Sequence, residues 1–378
     1  MKKYSLIVVL GLMMTSSSLL GQISSARGSW SPLGTGVDRE VFAMTVYKDK
    51  LIVGGNFKTV GGVAANGIAA WDGKTWSSLG SEFTRPSAMV VYDDRLIVPG
   101  VFYTEGELAH YKLQAWDGNE WTTMDIGARG LKFAHVNYLA AGGDRLVMFA
   151  EIKNMGVSGD KLVMWDGHSL SYSSVDGDFD ALAVYGDRVI VARESGLSKH
   201  QNKDMAYLSA WDGRDFSPIG SELDGRVLSM VVFDDQLIVS GYFTTAGGVA
   251  ANGIAAWDGK TWSSLGSEFS GRVDCMAVHD DRLFAGGYCT TDGNIGCHIS
   301  VWDGNRWSRL DSGLDERKYW AKYKSHCTSM FTVDSGNPDF VQPGSVTALT
   351  VYKGRLIVGG WFTSAGGVPC NRIAVWQD

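Results

Sequence analysis

The chain has 378 residues, with 41 acidic against 34 basic side chains and a net charge of −7. The two signs are interspersed and no basic stripe exists, which argues against nucleic acid as a partner. Glycine reaches 48 residues while proline stays at 7, beside 14 tryptophans and 14 tyrosines, a composition that speaks against disorder and for short strands joined by tight turns.

The chain opens MKKYSLIVVLGLMMTSSSLLGQ. Two lysines, an apolar run from Tyr4 to Met14 and a small, polar stretch have the layout of a secretory signal peptide, with cleavage expected near Gly21. The run is too short to span a bilayer as a helix, which needs about 20 apolar residues. No later stretch looks transmembrane, and no cysteine stands just after Gly21, so a lipid anchor is not expected. The expected layout is a signal segment at 1–21 and one domain at 22–378, carried by a secreted monomer, periplasmic or extracellular.

Trp30-Ser31-Pro32-Leu33-Gly34 comes next and repeats later as Trp76-Ser77-Ser78-Leu79-Gly80. Between the two copies lies one full unit. Val41–Tyr47 is rich in strand formers, Lys48-Asp49 makes a turn, and Leu51–Phe57 is a second apolar run. After the loop KTVGGVAANG, Ile68–Trp71 is a third run, Asp72-Gly73 a hairpin signal and Trp76–Leu79 a fourth short strand. The Trp-Asp-Gly tripeptide recurs at Trp71, Trp116, Trp165, Trp211, Trp257 and Trp302, 45 to 49 residues apart, with a variant copy at Trp376. The last interval is longer because of an insertion at about 314–344.

Seven units of four short antiparallel strands predict an all-β fold, a seven-bladed β-propeller. The chain ends at a third strand, Ile373–Asp378, and the surplus fourth strand stands at Trp30. The N-terminal strand is therefore expected to complete the last blade and close the ring. Phe57–Phe83 and Phe243–Phe269 match at 25 of 27 positions, whereas units two to four have drifted.

The pattern LIVGG-x-F followed by N-x-IA-x-WDG-x-x-W-x-x-LG resembles the kelch repeat. Its Gly-Gly doublet stands at Gly54-Gly55, Gly286-Gly287 and Gly359-Gly360, and its aromatic and apolar positions at Trp71, Trp76 and Leu79. The WDG variant is also similar to repeats of secreted bacterial and fungal cell-surface propellers. The resemblance implies an interaction module. Galactose oxidase-like members are copper enzymes, but no Tyr/His/Cys copper set can be assigned here, so no cofactor is expected.

The WDG aspartates are expected to cap their own turns. Asp93-Asp94, Asp234-Asp235 and Asp280-Asp281 ring one face, where the basic residues that follow, Arg95 and Arg282 among them, neutralise them and disfavour a bound cation. Asp176, Asp178 and Asp180 alternate but lack the twelfth-position Glu of an EF-hand. No HExxH, GxSxG or phosphate-loop motif occurs, and neither a catalytic residue nor a metal ligand is assigned.

Strand alternation sets the second-to-third and fourth-to-first loops on one face, together with the insertion. Tyr319, Trp320 and Tyr323 of the insertion are expected there, beside Asn56, Tyr242, Tyr288 and Trp361, which follow the doublet position. Such aromatics suit a carbohydrate or protein ligand, or else are buried under the insertion. Of five cysteines, Cys289–Cys297 and Cys327–Cys370 are the expected disulfides, with Cys275 free; other pairings stay open. The leading reading is a non-catalytic binding or scaffold propeller. The alternative is a carbohydrate-active enzyme or oxidoreductase whose site is gathered from several blades.

Overall fold

The computed structural model describes residues 28–377 except 81–84, 103–109, 125–131, 143, 155–156, 174–178, 187, 195–205, 267–269, 280, 292–293 and 311–344. Its elements are all strands, and they form a seven-bladed β-propeller of four-stranded antiparallel blades. Blade one comprises Val41–Tyr47, Lys50–Gly55, Ile68–Trp71 and Trp76–Ser78, each paired with the next. The inner strands of blades two to seven are Val90–Tyr92, Lys132–Gly142, Phe179–Tyr185, Arg226–Phe233, Ser270–His279 and Ser345–Tyr352. They touch neighbour to neighbour all the way round. In blade seven the fourth strand is Ser29–Pro32, paired with Ile373–Gln377 so that Trp30 stands opposite Trp376. The two ends of the domain share a blade, as expected.

The core is divided into seven apolar wedges, one at each blade-to-blade interface. Leu51 and Val53 pack toward blade seven while Ile52, between them, packs toward blade two. A strand buried on both faces reads as a continuous apolar run, which is why these strands show no polar alternation.

In blades one, two, five and seven the inner-to-second-strand turn has positive φ at both central residues, as at Asp93 (49°) and Asp94 (54°), the conformation that suits the twist of a two-residue hairpin. Six inner strands carry a bulge at the same place, between Val41 and Ala43, Val136 and Tyr138, Phe179 and Ala181, Val227 and Ser229, Val273 and Cys275, and Val346 and Ala348. The bulge explains the Gly-Gly doublet. A Cβ at the second position, Gly55, Gly287 or the Gly241 of blade five's Ser240-Gly241 pair, would collide with the carbonyl oxygen of Glu40, Arg272 or Arg226, just ahead of the bulge. A Cβ on the first, Gly54 or Gly286, would crowd the next blade at Pro86 or Val346.

The second strand of blade one ends at Gly55, short of the expected Phe57. Phe57 instead leaves the sheet and buries itself, 1% exposed, under the GGV loop. That loop is a small hairpin, Thr59–Val60 with Val63–Ala64, repeated in blades five and seven. Its Gly61 lies flat on Trp76, leaving no room for a side chain. The kept loop and the kept tryptophan are thus one packing unit.

Candidate functional site

The two faces of the ring differ in chemistry. On the turn face, all six WDG aspartates accept two backbone N–H bonds from their own turn. Asp72 Oδ1, for example, accepts from the N–H groups of Lys74 and Thr75, both at 2.7 Å. The same arrangement recurs at Asp117, Asp166, Asp212, Asp258 and Asp303. These bonds hold the carboxyls below their ordinary value, to about 2 at Asp72 and Asp166. Gly73 supplies the positive φ the turn needs. The paired rings lie close, as in Trp71–Trp76 at 5.0 Å. The expected structural role of these residues agrees with this geometry.

This face also carries a set of latches that sequence reasoning missed. Tyr47, Tyr92, Tyr185 and Tyr352 each donate from the hydroxyl to a turn carbonyl of the following blade, at 2.8 to 2.9 Å. Lys353 Nζ donates to Asp72 O across the shared interface at 3.0 Å, and Lys48 reaches Asp117 O in the same way. The aspartates that were expected to form a ring are met by Arg95, which pairs with Asp93 at 3.3 Å. Arg282 lies over Phe284 at 5.5 Å.

The loop face is built differently. Eight residues before each turn, the chain enters the inner strand with a charged residue in several blades: Glu40, Arg85, Arg226 and Arg272. The bulge residue two places on is acidic in blades four and six, as Asp180 and Asp274. Arg226 reaches back to blade four and donates to Asp180. Blade five has Leu228 at that position, and Arg272 pairs within its own blade. Its Nε lies 2.5 Å from Asp274 Oδ1 and its Nη2 donates to Oδ2 at 2.8 Å. Arg272 also lies over the Tyr242 ring at 5.6 Å, with Nη1 3.4 Å from the hydroxyl.

Burial pushes the Asp274 carboxyl up to about 6, against the pull of Arg272. Burial alone would lower Arg272, but the Asp274 carboxylate beside it holds it above its ordinary value. Burial, and then the charge of Asp180, raise the Tyr138 hydroxyl. Both carboxylates are thus tied to arginines. The clue was present in the inner strands FDALAVY and RVDCMAVH, where a charge interrupts an apolar run.

Tyr242 is 40% exposed on this face and Trp361 is half-buried. Asn56 is engaged, its Nδ2 donating to Glu40 Oε2 at 3.0 Å. Of Tyr288 the structure describes only the backbone, opposite Arg272. Tyr319, Trp320, Tyr323 and Cys327 lie outside the described residues, as do 1–21, Asp176 and Asp178. Cys289 stands opposite Gly296 and Cys297 opposite Tyr288, so the two are offset by one step across the hairpin. Cys370 is a buried thiol, raised by burial to about 11. Cys275 is a buried thiol between blades six and seven, near Gly286 O and Val346 O. No group of three or more potential metal ligands exists among the described residues.

Blades of this kind, closed through a shared strand and bearing ion pairs at the entry of their inner strands, define a β-propeller protein. A family signature described as "Domain of unknown function (DUF5122) beta-propeller" matches residues 354–374, the second strand and GGV loop of blade seven. No curated protein matches the sequence. Among solved structures, the beta-propeller domain of the Trilobed protease from Pyrococcus furiosus is similar at a TM-score of 0.56 and 8% identity, over 90% of this chain and 96% of that one. The Pyrococcus horikoshii acylaminoacyl peptidase is similar at a TM-score of 0.50 and 9% identity, over 86% of this chain and 50% of that one. These likenesses establish the fold alone. No described helix is long and apolar enough to cross a membrane.

Proposed function

We propose that this chain is a secreted, non-catalytic binding or scaffold propeller of kelch type that takes a protein or glycan ligand on its loop face. The observation that carries this reading is the exposed Tyr242 ring, 40% accessible, on a face whose neighbouring charges are fixed in ion pairs. Tyr172 and Tyr207 are exposed to a similar degree, but Tyr242 is the one over which the arginine of a buried ion pair lies. The carboxylates Asp180 and Asp274 each engage an arginine, which suits recognition better than proton transfer. The signal-like opening of the chain supports export. The test is binding to a glycan array and to partner proteins in pull-downs, using Tyr242→Ala, Trp361→Ala and Trp320→Ala. Loss of a ligand in these variants is expected; profiles identical to the parent would overturn the reading.

A further inference from the structure

We propose that Arg272 is the ligand-reading residue of the loop face and that it reads a carboxylate carried on a sugar ring. This rests on the loop-face reading above. The argument is one of donors. A guanidinium has five N–H groups in a rigid fork. Asp274 Oδ2 accepts from Nη2, the Tyr242 hydroxyl lies near Nη1, and Nε faces Asp274 Oδ1 at 2.5 Å without a hydrogen bond of its own. On each terminal nitrogen a further N–H has no acceptor among the described residues. Asp274 is 7% exposed and clamps the guanidinium from the inside. The free pair therefore lies on the side away from the carboxylate.

Two parallel N–H donors match the two oxygens of a carboxylate. The same fork on a loose surface arginine would lose entropy on binding; here the clamp and the ring beneath it have already fixed it. Because the pair with Asp274 is neutral overall, recognition depends on bidentate geometry rather than on long-range attraction, which the net charge of −7 would oppose for any polyanion. Tyr242 decides the carrier. The ring is 40% exposed and the guanidinium lies over it at 5.6 Å, so apolar ring surface and a carboxylate are read together. A uronate sugar offers both within one residue, whereas an acidic peptide side chain satisfies only the fork.

The test uses oligomers of galacturonate, glucuronate and mannuronate, each paired with its methyl ester, and hexa-aspartate as the peptide arm. Binding is measured by calorimetry on the full chain. At least one acid is expected to bind about tenfold or more tighter than its ester, the worth of a charge-assisted pair. Arg272→Lys, which keeps the charge but loses the fork, is expected to abolish that preference. If every acid and ester bind alike, the inference is overturned, while a loss of both in Tyr242→Ala would leave the loop-face reading standing. Preference for hexa-aspartate would overturn the choice of a sugar. Should Arg272→Lys fail to fold, the acid-to-ester ratio of the parent chain decides alone, absence of preference counting against the inference.

Discussion

Two kinds of aspartate in this ring respond to pH in opposite directions. The WDG aspartates have depressed folded values, so their contribution is full above the ordinary carboxylate value of 3.8 and is lost as pH falls toward about 2. Thermal unfolding followed by circular dichroism should show the midpoint dropping between pH 4 and 2, and Asp72→Ala should flatten part of that drop. Asp274 has a raised value, so the folded state holds its proton more tightly than the unfolded chain does. Its ionisation removes stability as pH rises from 3.8 through about 6. Asp274→Ala leaves Arg272 charged and buried, a loss of ~3–5 kcal/mol at neutral pH, whereas the paired change Arg272→Met with Asp274→Leu restores most of it. Denaturant titration of the three chains checks this, and equal stability of the two variants would contradict it. The turn aspartates were legible because a short motif carries their whole chemistry. The pair of Arg226 with Asp180 was not, since the two stand 46 residues apart.

Among elements, strand order and hairpin turns could be read from the chain, because runs such as Val41–Tyr47 and dipeptides such as Asp72-Gly73 are local signals. The bulge could not. One extra residue in a strand apolar on both faces leaves the pattern unchanged while reversing which side chain faces which wedge. Its trace was the doublet, whose second glycine receives the displaced carbonyl. Gly241→Ala is expected to cost about 1–3 kcal/mol or more, since the obstacle is backbone and cannot rotate away. Tyr47→Phe should cost ~0.5–1.5 kcal/mol, the worth of one hydrogen bond between blades. Chemical denaturation resolves both, and a neutral Gly241→Ala would remove the packing explanation of the doublet.

At the scale of the molecule, stability is spread over seven interfaces rather than one centre. Units one, five, six and seven announced the architecture, and drifted units two to four keep it with different residues. In blade four, Phe216 stands where blades one, two, five, six and seven have a tryptophan, stacked 6.1 Å from Trp211. The shared blade holds Trp30 and Trp376 edge to face at 5.1 Å. Trp30→Ala is expected to cost ~3–5 kcal/mol and to expose the chain ends to limited proteolysis before the other blades. Uniform cleavage around the ring would argue against a closure that fails first.

The strand shared between the two ends also sets an order in time. Most pairings in the ring join residues that are close along the chain and can form as soon as a unit is made. Trp30 must wait for Trp376, almost the whole domain later, and must close the largest loop the chain possesses. Until then the first four residues of the ring form an unpaired strand edge, and the wedge between blades seven and one stays open to solvent. Ring closure is therefore expected to be the slow, concentration-sensitive step of refolding, and refolding rates that do not change with chain concentration would contradict this. In that interval a second copy of the chain can offer the same partner strand.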